Sequence, residues 1–393
     1  MMLCSKKFFS YQSPGPDSVG IGAFHLYLTQ VKKIIFTVTN DLNYDQRMQR
    51  ICGSLGDAGY EVLLVGRKLK ASLPLQNKNY KQQRLNCWFT RGKSFYAEFN
   101  IRLFFFLLFS KADCICAIDL DTILPCFYAA KIKGIKSVYD AHEYFSQLDE
   151  VITRPNIYRF WHRIERKMIP KFKNGYTVCD SLAEEFKKNY KANYKVIRNV
   201  PLLAARPEQV NSQDVILYQG AVNKGRGLDK LALAMQNVNA QLWVCGHGNF
   251  FEEMKSVVHT NGLSGKIIFH GMLEPETLKK KALQSCIAIN PFERTGLNQY
   301  LSLSNKFFDY IHAGIPQVTM NYPEYRTIND QYEVAVLIDD LDPGTIANAI
   351  NKLLDDKELY SQVKQNCLKA RKELNWQNEK DKLLNFYREL FNE

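Results

Sequence analysis

From Lys33 onward, short apolar runs alternate with amphipathic stretches of helical period, the sign of parallel strands covered by helices. The pattern predicts a first set of strands at Ile34–Val38, Glu61–Val65, Cys114–Ile118, Ser137–Asp140, Tyr176–Cys179 and Lys195–Arg198. A second set follows at Val215–Gln219, Gln241–Cys245, Lys266–His270, Ile287–Asn290, Gln317–Met320 and Val334–Ile338. Between them, Pro201–Gln213 carries proline and has no clear period, so a hinge is expected there. The predicted organisation is an irregular segment 1–31, a first α/β domain 32–205, a second 206–375, and a last helix in 376–393 that crosses back to the first domain. Residues 304–316 predict a helix capped by Ser304, closed by Gly314 and followed by Pro316.

Composition adds two limits. With 393 residues the chain exceeds what one core usually fills. Ten cysteines without a C-x-x-C pair, and no secretory h-region, point to reduced thiols and a cytoplasmic location.

The net charge of +12 is uneven: residues 1–200 hold 31 Lys+Arg against 17 Asp+Glu, about +14, and the remainder 21 against 23, about −2. An anionic partner for the first half alone follows, either a phosphate-bearing acceptor or a membrane surface. No helix-turn-helix, zinc-finger or RNA-recognition signature accompanies the charge, so nucleic acid is not the expected partner. The run Ile101–Phe109 is nine residues, too short to span a bilayer. It reads as a buried helix edge or as a patch that dips into the cytoplasmic leaflet.

Ligands of open α/β sheets bind beyond the carboxyl ends of the strands, so candidate chemistry is sought in the loops that follow them. Gly220-Ala-Val-Asn-Lys-Gly-Arg-Gly227 is a glycine-rich loop that opens a helix, and Arg226 can grip two phosphate oxygens. Gly246-His247-Gly248 reads as a tight strand-to-helix turn. The helix start at Ser304, Asn305 and Lys306 favours phosphate, and Asp309 one turn on can reach ribose hydroxyls. Gly271 and Met272, after the third strand of this set, offer backbone groups to a base.

In the first domain, Asp140, His142 and Glu143 leave a strand end together, as acid, base or sugar contacts would require. Asp41, Asp45 and Arg47 read as acceptor contacts or as helix caps. Asp119-Leu-Asp121 and Asp340-Leu-Asp342 match a short metal-binding pattern without supporting ligands, so no metal is expected.

These residues resemble the donor site of retaining glycosyltransferases of family 4. That family places an acid five positions before the glycine of an Ala-x-Gly-x-Pro-like ending, as Asp309 stands before Gly314. It carries a glycine and, six residues on, a basic residue followed by glycine, as do Gly220, Arg226 and Gly227. Two departures are visible. The family's arginine beside the first glycine is Ala221, and the first of its two glutamates, eight before Asp309, is Leu301, with Glu293 as a possible substitute from a longer loop.

The resemblance implies an α/β GT-B fold, two Rossmann-like domains facing a central cleft. It implies transfer from a nucleotide-diphosphate sugar to a glycan or lipid-linked acceptor in cell-surface polysaccharide biosynthesis, without cofactor or metal; the basic first half and the Phe104–Phe106 stretch add the expectation of peripheral contact with the inner membrane face. Arg226 and Lys306 would hold the leaving phosphate, and His142 would face the donor sugar. A nucleotide-sugar 2-epimerase, or a degenerate partner of an active transferase, shares the same architecture.

Overall fold

The computed structural model describes residues 31–43, 45–205 and 213–392. The expected irregular segment 1–31 lies outside the described residues except for Val31, and the expected boundary at 205/206 adjoins a stretch also outside them.

Seven parallel strands form the first sheet: β1 (Lys33–Thr37), β2 (Glu61–Arg67), β3 (Lys81–Leu85), β4 (Cys114–Ile118), β5 (Lys136–Ala141), β6 (Asn174–Thr177) and β7 (Lys195–Val196). Their order is β3-β2-β1-β4-β5-β6-β7. Six more form the second: β8 (Gln213–Gln219), β9 (Gln241–Cys245), β10 (Ile267–Gly271), β11 (Ser285–Asn290), β12 (Gln317–Met320) and β13 (Ala335–Ile338), in the order β10-β9-β8-β11-β12-β13. In both sheets the order of adding strands reverses beside the first strand, at β1/β4 and at β8/β11. The loops after those four strands therefore splay apart into a crevice, where such folds bind ligands.

Every strand read from the pattern is present within a few residues. β3 was not foreseen, because Lys-Gln-Gln-Arg-Leu at a sheet edge has polar residues on both faces. β6 begins and ends two residues earlier than expected, since Cys179 leaves the sheet to start the helix Asp180–Tyr190.

The apolar run is partly buried, as a helix edge would be, and partly exposed. It ends the helix Gly92–Phe109, whose Phe95, Phe99, Leu103 and Leu107 are buried at four-residue spacing. Ile101, Phe105 and Phe109 form a parallel exposed row, at 59%, 52% and 82%. Phe104 packs against the core.

Each sheet is covered on both faces by apolar clusters. The helix Trp376–Phe391 belongs to the first sheet: Trp376, Leu383 and Tyr387 are buried with Ile34, Phe36 and Met48. Full burial of each such side chain is worth about 1.5–3 kcal/mol. The chain crosses between the sheets twice, and the crossings are joined where Trp376 N–H donates to the Pro201 carbonyl at 2.8 Å.

Candidate functional site

One cleft of about 2010 Å³ is lined by the loops after β1, β4, β5, β8 and β11 and by the start of the helix Asn305–Ala313. On the side of the second sheet, β8 runs into Gly220, whose φ of +119° suits glycine alone. A Cβ on Gly246 would stand 1.8 Å from the Gly220 carbonyl oxygen, so the Gly246-His247-Gly248 turn holds this loop by close backbone approach.

Arg226 and Lys306 meet over one ring. The Arg226 guanidinium lies 4.5 Å and the Lys306 Nζ 4.8 Å from the Phe292 centroid, and Lys306 Nζ also lies 4.0 Å from that of Tyr218. Neither forms an ion pair among the described residues. Burial, with Arg226 adjacent, holds the Lys306 ammonium well below its ordinary range. Two converging cations supported by aromatic faces instead of carboxylates form a site built for an anion. Phe292 and Tyr218 escaped the sequence reading, because an aromatic residue after a strand or within one reads as core.

Ser304 occupies the N-cap position, but its side chain does not cap the helix. Its Oγ accepts from Asn290 Nδ2 at 3.0 Å and its N–H donates to the Tyr325 hydroxyl at 3.1 Å. The positive helix end thus faces the cleft without a side-chain cap. Gly314 closes the helix with φ +69° as expected.

Asp309 accepts from Gln219 Nε2 at 2.9 Å, and burial, opposed by Arg50 and Gln219, pushes its carboxyl up to about 6. Asn305, on the same helix face, accepts from Asn199 Nδ2 at 2.7 Å, and Asn199 Oδ1 accepts from Arg50 at 2.5 Å. This polar bridge between the halves had no sequence signal.

On the side of the first sheet, His142 is held through one ring nitrogen. Nε2 lies 3.0 Å from Asp140 Oδ2, while Nδ1 lies 3.8 Å from Asp119 Oδ2. Burial lowers the imidazole, but Asp140 and Asp119 outweigh it and raise it to about 9, while burial, opposed by His142, pushes the Asp119 carboxyl up to about 8. Asp140 is fully buried between His142 and Arg47. Burial would raise its carboxyl, yet the two cations hold it below the usual range. Asp140 therefore positions His142 and does not reach the cleft, which corrects its expected catalytic contact. Glu143 lines the cleft, and burial with Glu150 pushes its carboxyl up.

The acceptor expectations need the same correction. Asp41 is buried against Arg84 at 2.5 Å and Ser72, away from the cleft. Arg47 lines the cleft but spends its guanidinium on Asp140 and the Ile197 carbonyl. Asp45 touches the cleft but caps a helix by accepting from Met48 N–H at 3.0 Å. Gly271 and Met272 do not line the cleft: the Gly271 carbonyl accepts from Gly246 N–H, and Met272 is 77% exposed.

What faces the cleft on this side is an aromatic wall. Trp161 packs 4.9 Å from Phe145 and 5.6 Å from Tyr96, and all three line the cavity. Helical spacing of Ile157, Phe160, Trp161 and Ile164 was its signal, indistinguishable by pattern from a core face.

Leu301, at the place of the missing acid, packs against the core of the first half, and its carbonyl accepts from Cys179 Sγ at 3.2 Å. Glu293 lines the cleft and is anchored where its N–H donates to the Gly225 carbonyl at 3.1 Å. Asp121 Oδ2 accepts from Thr39 Oγ1 at 2.5 Å, and Asp342 caps a helix through Gly344 N–H at 2.9 Å. Among the described residues no group of three potential ligands could hold a metal ion.

Residues 203–370 match the family model of glycosyl transferases group 1. An uncharacterized glycosyltransferase of Methanocaldococcus jannaschii is 21% identical over 183 residues, 45% of each chain, so the alignment spans less than half of that relative. Sucrose-phosphate synthase from Thermosynechococcus elongatus superposes with a TM-score of 0.77 at 15% identity, covering 92% of this chain and 99% of that one. HepE from Anabaena, solved in complex with UDP and glucose, gives 0.71 at 13% identity, covering 90% and 98%. WaaG, a glycosyltransferase involved in lipopolysaccharide biosynthesis, gives 0.68 at 14% identity, covering 89% and 98%. Two doubly wound sheets around one cleft, with these structural neighbours covering most of the chain, thus make the chain a GT-B fold, whose residues 203–370 match the glycosyl transferases group 1 model.

Proposed function

We propose that the chain is a retaining, metal-independent glycosyltransferase that moves a hexosyl unit from a nucleotide-diphosphate sugar to a glycan or lipid-linked acceptor in cell-surface polysaccharide biosynthesis. The observation that carries this is the unpaired pair Arg226 and Lys306 at an uncapped helix end inside the cleft. A diphosphate supplies the missing negative charge. The HepE structure in complex with UDP and glucose supports the donor class, and WaaG the biosynthetic setting.

In this reading the C1–O bond to the diphosphate breaks, the acceptor oxygen bonds C1 from the same face, and the acceptor proton passes to the departing phosphate. The protein's part is mainly electrostatic and geometric. Arg226, Lys306 and the helix end hold the leaving charge, Asp309 takes the ribose, and His142 meets the sugar from the opposite wall. Trp161, Phe145 and Tyr96 give the acceptor an aromatic surface.

The chain works at the inner membrane face, where the exposed row Ile101, Phe105 and Phe109 meets lipid beside a basic half. No described helix is long and apolar enough to cross a membrane.

Thermal stabilisation by a panel of nucleoside diphosphates tests the donor reading. A ligand at one hundred times its Kd adds about 2.7 kcal/mol. No shift with any of them sinks the proposal. Turnover that survives excess chelator supports metal independence, and loss restored by magnesium or manganese refutes it.

A further inference from the structure

Asp119, which follows β4 at the cleft, occupies backbone space that belongs to glycine. Its φ of +52° with ψ of 179° places an L-residue where essentially only glycine is found. Two bonds hold it there: its N–H donates to the Asp140 carbonyl at 3.0 Å, and its Oδ1 accepts the His142 N–H at 2.8 Å. Residues so held cluster at ligand clamps, where the strain serves binding. A glycine would satisfy the backbone without strain, so the carboxylate is what the strain maintains.

Asp119 Oδ2 is directed at His142 Nδ1 across 3.8 Å, beyond hydrogen-bond length. His142 Nε2 is already committed to Asp140, which leaves Nδ1 as the ring's free nitrogen, a donor when the ring is protonated. Both side chains are about one-fifth exposed, and both line the cleft. The two atoms are close enough for one oxygen beside them to contact both. A hydroxyl suits the pair, since a hydroxyl donates and accepts at once. Neither an anion nor an ammonium does both.

We propose that Asp119 and His142 Nδ1 together bind a carbohydrate hydroxyl of the acceptor in the cleft that Trp161, Tyr96 and the two phosphate-site cations also line, so that His142 stands where acceptor and donor sugar meet. This rests on the reading of the chain as a sugar transferase and names the residue that takes the acceptor's hydroxyl.

The experiment uses the full chain, UDP, and a panel of methyl glycosides of glucose, galactose and N-acetylglucosamine as probes. Glycoside binding is followed by saturation-transfer NMR in the presence of UDP, and stability by thermal denaturation. The wild type should bind at least one glycoside. Asp119→Asn, which keeps the shape, and Asp119→Gly, which relieves the strain, should each lose at least tenfold in glycoside affinity while UDP affinity changes less than twofold. Asp119→Gly should melt no lower than wild type. Unchanged glycoside binding in Asp119→Asn, no glycoside bound by the wild type with UDP in place, or a marked fall in Tm for Asp119→Gly each overturns the proposal. The last would show that the carboxylate is structural. A wild type that binds glycosides but no nucleotide leaves this subsite standing and removes the donor reading instead.

Discussion

Lys306→Met separates what the phosphate site costs from what it does. The amine is buried over Tyr218 and Phe292 with Arg226 as its charged neighbour, so charging it in the free protein has no compensating carboxylate. Its folded pKa lies well below the unfolded value of about 10.4. Between those two values the unfolded chain binds the extra proton, so stability of the free protein should rise with pH through that window and be lowest beneath it. Methionine keeps the length and apolar contacts and removes the charge. At pH 7 the variant should therefore melt higher than wild type, and its stability should lose that alkaline rise.

Binding should move the other way. A charge-assisted contact to phosphate is worth about 1.5–3 kcal/mol, which is roughly 10- to 160-fold in Kd. Calorimetry of UDP binding reads the loss directly. Run in buffers of different ionisation enthalpy, it should also show proton uptake by wild type near the depressed Lys306 value and none by the variant. A variant that binds UDP within twofold of wild type, or melts lower without ligand, would refute the assignment.

Leu301→Glu, which supplies the acid that the resemblance to family 4 leads one to expect, should lower Tm without raising activity, because it sets a carboxylate against the core of the first half at a partly buried position; a gain in turnover at unchanged Tm would show the opposite. His142→Gln should cut turnover far more than UDP affinity, and equal losses would mark the ring as structural. Because His142 is raised to about 9, its contribution to stability is complete below pH 6.5 and vanishes as pH climbs through 9, so wild type should lose that increment over this range and His142→Gln should not. Phe105→Ser with Phe109→Ser should weaken salt-sensitive binding to anionic vesicles at little cost in Tm, whereas Phe104→Ser should lower Tm; vesicle binding that ignores the exposed pair removes the membrane contact.

Periodicity revealed the strands because buried parallel strands are continuous apolar runs, and β3 fell outside that rule by lying at an edge. Glycines and charges at strand ends located Arg226, Lys306, Asp309 and His142, since those residue types answer to local backbone needs. Pairing was illegible. Asp41 and Arg47 look the same in sequence whether they face a substrate or each spend their charge on a partner tens of residues away. The bridge from Arg50 to Asn305 and the use of Leu301 as a contact with the first half's core depend on the two halves meeting, and the ring that supports both cations brings together three separate segments of the second half, none of which a local pattern encodes.

The return of Trp376–Phe391 to the first sheet bears on how the chain is born. The hydrophobic face that Ile34, Phe36 and Met48 present has its cover encoded more than 320 residues downstream of the last of them. During synthesis the first half emerges long before that cover, so its apolar surface must wait while the second half is made and folds. Closing so long a loop is slow, and the waiting surface is a natural client for a chaperone. Expressed alone, residues 32–205 should be aggregation-prone, and supplying the missing helix as a separate peptide should rescue them.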